Sequence, residues 1–125
     1  MIQYSFLQES LSFKVTIKKT DFGYVYYYDC KEGRFALYYY NDDMTKLFLS
    51  NVDIWKEYQG NGFGNELIKK SISESQKLSD KFGFKELFLN CKKSSFVHQW
   101  YKKFGFKDYK QKEDNSDYIW MRKTL

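Results

Sequence analysis

Proline is absent from this chain of 125 residues, histidine occurs once and cysteine twice. Without proline, a serine–glycine linker or a low-complexity tract, nothing marks a domain boundary. The chain therefore reads as a single domain over residues 1–125, long enough to bury one core. A lone histidine, His98, argues against a histidine-based metal centre and against a Ser-His-Asp triad, and no metal is expected. It falls on the polar side of its helix and is expected to be exposed. Cys30 and Cys91 are too few and too far apart for a disulfide framework, so a reducing cytoplasm is expected. No apolar run approaches the roughly 18 residues that a spanning helix needs. The first residues lack a charged-then-apolar leader and no lipidation motif is visible, so no membrane partner is expected.

What the chain does hold is aromatic and unevenly charged. Twelve Tyr, twelve Phe and three Trp make up 22% of it, which the codon bias of a low-GC genome explains as readily as binding does. The net charge of +5 is split: residues 1–65 carry seven Lys/Arg against eight Asp/Glu, residues 66–125 fourteen against eight. A basic half suits an anionic ligand, although most surface lysines serve solubility. With no recognised nucleic-acid module, no nucleic-acid partner is expected.

The first half reads as strands. Ser12 to Lys18 alternates Phe13, Val15 and Ile17 with Lys14, Thr16 and Lys18, the period of a strand with one apolar face. Gly23 to Asp29 and Arg34 to Tyr40 are aromatic-rich and flank the turn Cys30-Lys31-Glu32-Gly33, as a hairpin does. Asn41-Asp42-Asp43 turns into a strand from Lys46 to Ile54. The second half mixes helix and strand. Asn65 to Phe82 reads as a helix stopped by Gly83, and Glu86 to Cys91 as a short buried strand. Ser94 or Ser95 caps a helix with apolar residues at 96, 97, 100, 101 and 104, ended by Gly105. Strands at Phe106 to Tyr109 and Tyr118 to Arg122 follow, joined by a polar loop around Asp114-Asn115.

Between the strand ending at Ile54 and the helix lies Gln59-Gly60-Asn61-Gly62-Phe63-Gly64. Glycine permits tight backbone turns and close approach to a ligand. The free N–H groups of the helix's first turn and its positive dipole end suit a phosphate. A tight turn alone would use the same residues. The spacing excludes G-x-G-x-x-G, and no Gly-Lys-Ser/Thr follows to make a P-loop.

This order of elements resembles the GNAT superfamily of N-acetyltransferases. Gln59-x-x-Gly62-x-Gly64 matches its signature, preceded by Ile54 at a strand end and by Glu57-Tyr58 as an acidic-aromatic pair. Tyr101, four residues before Gly105-Phe106, matches its later signature. The resemblance covers about residues 12–124. It implies an α/β fold: a mixed, mostly antiparallel sheet flanked by helices. The lid helices that usually separate the first two strands are missing, since only Lys19 to Phe22 stands there. Asn90 falls near a position where many members place a base, and an amide cannot serve as one.

The resemblance further implies transfer of an acetyl group from acetyl-CoA to a primary amine, on a small molecule or on a protein lysine or N-terminus. Main-chain amides of Gln59, Gly60, Asn61, Gly62, Phe63, Gly64 and Asn65 would hold the pyrophosphate. The pantetheine arm would pair with the strand edge at Val52 and Ile54, as an added strand does. Ser94 is a further cofactor-side candidate, and lysines from Lys56 to Lys103 could reach the 3′-phosphate. Tyr101 is the candidate general acid, although an aromatic at helical spacing is more often core. Asp53 is the candidate base or water-orienter, although a strand-end carboxylate is more often only solvated. A non-catalytic CoA-binding or protein-interaction domain, docking through the Tyr-rich strands, is the alternative. A homodimer is left open.

Overall fold

The computed structural model describes residues 11–109 and 117–125. The loop expected around Asp114-Asn115 lies outside them. The described strands are β1 (Lys14–Lys19), β2 (Gly23–Asp29), β3 (Gly33–Tyr40), β4 (Asp43–Ile54), β5 (Glu86–Lys92), β6 (Lys107–Tyr109) and β7 (Tyr118–Thr124). Helix α1 (Phe63–Phe82) joins β4 to β5, and α2 (Phe96–Lys102) joins β5 to β6. The strands form one sheet in the order β1-β2-β3-β4-β5-β7-β6.

Every neighbouring pair is antiparallel except β4 and β5. A parallel pair needs a crossover, which α1 supplies. That pair is short: Lys46↔Glu86, Leu47↔Leu87 and Phe48↔Phe88 are its three rungs. Beyond them β4 runs on to Ile54 and β5 to Lys92 without pairing, so the two strands part. The cause lies in β4. Its register against β3 passes from Arg34↔Asp53 to Ala36↔Ser50, one residue more on β4 than on β3. Asn51 takes up the extra length with a left-handed φ of 53°, which asparagine tolerates better than most residues. Such a bulge bends its strand. Here it bends β4 where β5 ceases to follow.

Both helices pack on one face of the sheet. The buried stripe of α1 is Leu67, Ile68, Ser71, Ser75 and Leu78. It meets a core that includes Leu37, Leu47, Leu49, Leu87, Leu89 and Met121. Each fully buried leucine contributes roughly 1.5–3 kcal/mol relative to exposure. The Ser71 and Ser75 hydroxyls donate to the carbonyls of Ile68 and Ser71, each at 2.7 Å, so neither is buried unsatisfied. Gly83, with φ of 87°, ends α1 by donating its N–H to the Ser79 carbonyl.

The apolar face expected of Ser12 to Lys18 is covered only at Phe13, which packs against the rings of Tyr28 and Phe35 just before β1. All six residues of β1 are exposed, with Val15 at 47% and Ile17 at 55%. The reason is reach: α1 lies over β3 and β4 and stops short of the sheet's edge. A three-residue turn closed by Thr20 joins β1 to β2, the Gly23 N–H donating to Thr20 Oγ1 at 3.0 Å. The face opposite the helices carries no helix among the described residues.

Candidate active site

Past Ile54 the chain makes a single helical turn at Lys56–Tyr58 and enters the glycine stretch. The Gln59 side-chain amide donates back to the Ile54 carbonyl at 3.0 Å and holds the two ends of that turn together. Gly60 and Gly62 have φ of 84° and 81°. In that region any other L-residue costs about 1–2 kcal/mol. A Cβ at either would meet nothing within 4 Å, so the demand is conformational rather than spatial. Gly64 differs. It is helical, and a Cβ there would rest 3.7 Å from Trp100 Cζ2, an ordinary contact. Gly64→Ala is therefore expected to shift unfolding free energy by less than about 0.5 kcal/mol in urea titration.

Gly62 precedes α1 and brings no capping side chain. The first intrahelical bond runs from the Glu66 N–H to the Gly62 carbonyl at 3.4 Å. Among the described residues, the N–H groups of Phe63, Gly64 and Asn65 are left without a partner. Free donors at the positive end of a helix make an anion site. Gly64 and Asn65 line a cleft of about 610 Å³, walled on one side by Ile54, Tyr58, Gln59 and the glycines, and on the other by Phe96, Val97 and Trp100.

Helix α2 builds that second wall. Trp100 Nε1 donates to Asn65 Oδ1 at 3.0 Å and ties α2 to the start of α1. Phe96 and Val97 are 81% and 41% exposed. The apolar positions at helical spacing thus divide between cleft and core. The cap is Ser95, whose Oγ accepts the His98 N–H at 3.2 Å and donates to the Lys92 carbonyl at 2.7 Å. Ser94, left-handed at φ 57°, does not line the cleft.

His98 overturns the expectation of exposure, being 6% exposed. Its Nδ1 accepts the Ser94 N–H at 3.0 Å, so its Nε2 carries the hydrogen donated to Asp108 Oδ1 at 2.7 Å. The ring locks the Ser94 turn to β6, which no reading of the helix alone reveals because Asp108 comes from another element. His98→Leu leaves the Ser94 N–H unsatisfied and leaves Asp108 only water and Lys102, and is expected to cost about 1–3 kcal/mol in urea unfolding.

Tyr101 is 9% exposed and packs against Phe106 with ring centroids 5.8 Å apart. Burial pushes its phenol up to about 12, with Cys91 on β5 and Asp53 on β4 adding to the rise. Those two neighbours place it between the parted strands. Asp53 is exposed and pairs with Arg34 in register, on the face away from the helices. Val52 and Ile54 turn inward and pack against the core. Tyr101 and Asp53 therefore approach the split from opposite sides of the sheet.

The phenol also sets an alkaline limit. In the unfolded chain it ionises near 10, and in the folded chain only near 12. Its contribution to stability is complete below pH 10 and is lost as pH rises towards 12, on the order of 2–3 kcal/mol. Burial raises Tyr28, Tyr38 and Tyr39 as well, so the difference between wild type and Tyr101→Phe in urea unfolding at pH 8 to 11.5 measures the Tyr101 share.

A mostly antiparallel sheet, split at its one parallel pair and ending that split in a glycine turn and a helix N-terminus, is the α/β fold of the GNAT structures. The acetyltransferase (GNAT) domain model matches residues 10–125, and the chain belongs to that family. A GNAT acetyltransferase from Elizabethkingia anophelis with acetyl-CoA bound is 20% identical, with 82% of this chain and 76% of that one covered and a TM-score of 0.61. A Bacillus subtilis acetyltransferase in complex with CoA is 15% identical, with 91% and 99% covered and a TM-score of 0.62. An N-acetyltransferase from Thermoplasma acidophilum in complex with coenzyme A is 21% identical, with 81% and 60% covered and a TM-score of 0.59. At these identities the likeness is one of fold. No curated protein matches the chain. Among the described residues no cluster of His, Cys, Asp and Glu could hold a metal, and no helix is long and apolar enough to cross a membrane.

Proposed function

We propose that the protein transfers the acetyl group of acetyl-CoA to a primary amine, on a small molecule or on a protein lysine or N-terminus. The observation that carries this reading is the cleft lined by Gly64 and Asn65, whose N–H groups are free, and continuous with Ile54 at the end of the β4 edge that β5 leaves open. Diphosphate suits the first feature, and an extended amide-bearing arm suits the second. Elizabethkingia and Bacillus relatives that hold acetyl-CoA or CoA support the choice of donor.

In this reading main-chain amides from Gln59 to Asn65 bind the diphosphate and Val52 and Ile54 pair with the arm. An N–H on that edge polarises the thioester carbonyl. The amine attacks the carbonyl carbon, the C–N bond forms and the C–S bond breaks. Tyr101 gives its proton to the leaving thiolate and is reprotonated through solvent as the acylated nitrogen sheds its second proton. The attacking ammonium must first lose a proton, which Asp53 or a water that it orients takes from the open face.

Acetyl-CoA at about 100 times its dissociation constant should add roughly 2.7 kcal/mol of stability, read as a rise in Tm. Mass spectrometry of amine panels and peptides should then show a gain of one acetyl group. No Tm response to millimolar acetyl-CoA rejects the donor, and binding without transfer to any amine rejects the enzyme.

A further inference from the structure

The sheet face opposite the helices is paved with rings. Tyr38 stacks on Phe48 with centroids 5.0 Å apart, and Tyr40 meets Phe48 edge-on at 5.7 Å. Phe48 meets Phe88 at 5.7 Å and Trp120 at 5.9 Å, and Phe88 meets Tyr109 at 5.6 Å. The stripe crosses β3, β4, β5, β7 and β6. Phe88 is buried by its ring neighbours, whereas Tyr38, Phe48, Trp120 and Tyr109 are half-buried and Tyr40 is exposed.

Cations edge this stripe. Lys46 Nζ lies 5.5 Å from the Phe88 centroid, the Arg122 guanidinium 4.7 Å from that of Tyr109, and Lys18 Nζ 5.6 Å from that of Tyr27. Register puts Lys92 and Lys107 on the same face. The carboxylates nearby are largely spent: Glu86 is 3.4 Å from Arg122, Asp43 3.8 Å from Lys46 and Asp29 3.0 Å from Arg34. Among the described residues Asp53, at the far end of the split, carries no such pair, nor do Asp21 and Asp42 beside Tyr40. With the paired groups set aside, Lys14, Lys18, Lys92 and Lys107 are the cations left along this face.

A purely apolar partner would match the rings and leave the cations buried without counter-charge. A second copy would set those cations against themselves. The occupant that answers both is flat, aromatic and anionic along its length. We propose that this face binds single-stranded nucleic acid, with bases stacking on Tyr38, Phe48 and Trp120 and phosphates met by Lys18, Lys92 and Lys107. Ring platforms on a sheet with basic flanks bind single strands in this way, stacking contributing about 1–3 kcal/mol per base. No nucleic-acid partner was expected from the sequence, which carries no recognised module, and only the register brings rings and lysines of separate strands together. The surface is distinct from the donor cleft and does not require acetyl transfer.

The test is fluorescence anisotropy of a labelled oligouridylate of about twelve nucleotides, with labelled heparin as a polyanion lacking bases. The double variant Tyr38→Leu/Phe48→Leu keeps the face apolar, and Lys18→Gln/Lys107→Gln changes two exposed side chains outside the core. Expected are micromolar binding of the RNA, roughly tenfold or greater weakening in the leucine variant, and heparin binding unchanged by it. The lysine variant should lower the slope of log K against log salt by about 1.4. The proposal is overturned by absence of RNA binding at about 100 μM. It is equally overturned by a leucine variant that folds and binds normally, or by sedimentation showing a dimer that the leucine substitutions dissociate.

Discussion

Tyr101→Phe is expected to lower kcat by about 10²- to 10⁴-fold while leaving the KM for acetyl-CoA and the Tm nearly unchanged. The substitution removes one oxygen from a ring whose packing against Trp100 and Phe106 survives. A merely structural tyrosine would show the opposite pattern, with activity intact. The hydroxyl can serve as a proton donor because burial holds it protonated well past neutrality, up to about 12. Activity should therefore show no loss from Tyr101 ionisation below about pH 10. Single-turnover kinetics with acetyl-CoA and the best amine of the panel separates this chemical effect from binding. A variant within threefold of wild type in kcat would move the role of acid to solvent.

Gly62→Val should abolish the acetyl-CoA-dependent rise in Tm, whereas Gly64→Ala should keep it. At position 62 the backbone φ is 81°, a region where a β-branched residue is a genuine outlier, so the turn must shift to relieve the strain. A shift of about 1 Å in donors aimed at an anion is enough to cost on the order of 10²-fold. At position 64 the backbone is helical and a methyl group meets only the flank of Trp100. Calorimetric titration with CoA, backed by urea unfolding of each apoprotein, distinguishes loss of the site from loss of the fold. Retained CoA affinity in Gly62→Val would show that the left-handed turn is not what orients the amides.

Much of this architecture can be read from residues close together in the chain. The turn at Cys30 to Gly33, the stop at Gly83 and the cap before Phe96 are local chemistry: glycine conformations, a serine hydroxyl, the period of apolar residues. The glycine turn and the helix after it belong to the same class, as does Tyr101 within its motif. Their physics is decided over a few residues, so the one-dimensional pattern carries it.

What lay beyond reach depends on residues far apart. The alternation of β1 says that one face is apolar but not whether a helix arrives to cover it, and α1 does not. His98 has a polar flank along its own helix, yet Asp108 on β6 closes over it. The division of Phe96, Val97, Trp100 and Tyr101 between cleft and core follows from where α2 lands on β5 and α1. Above all, the parting of β4 from β5 and the placement of Tyr101 and Asp53 on opposite sides of the sheet come from a bulge and a register. Pairing across the sheet sets both, through hydrogen bonds between strands that no local preference can specify.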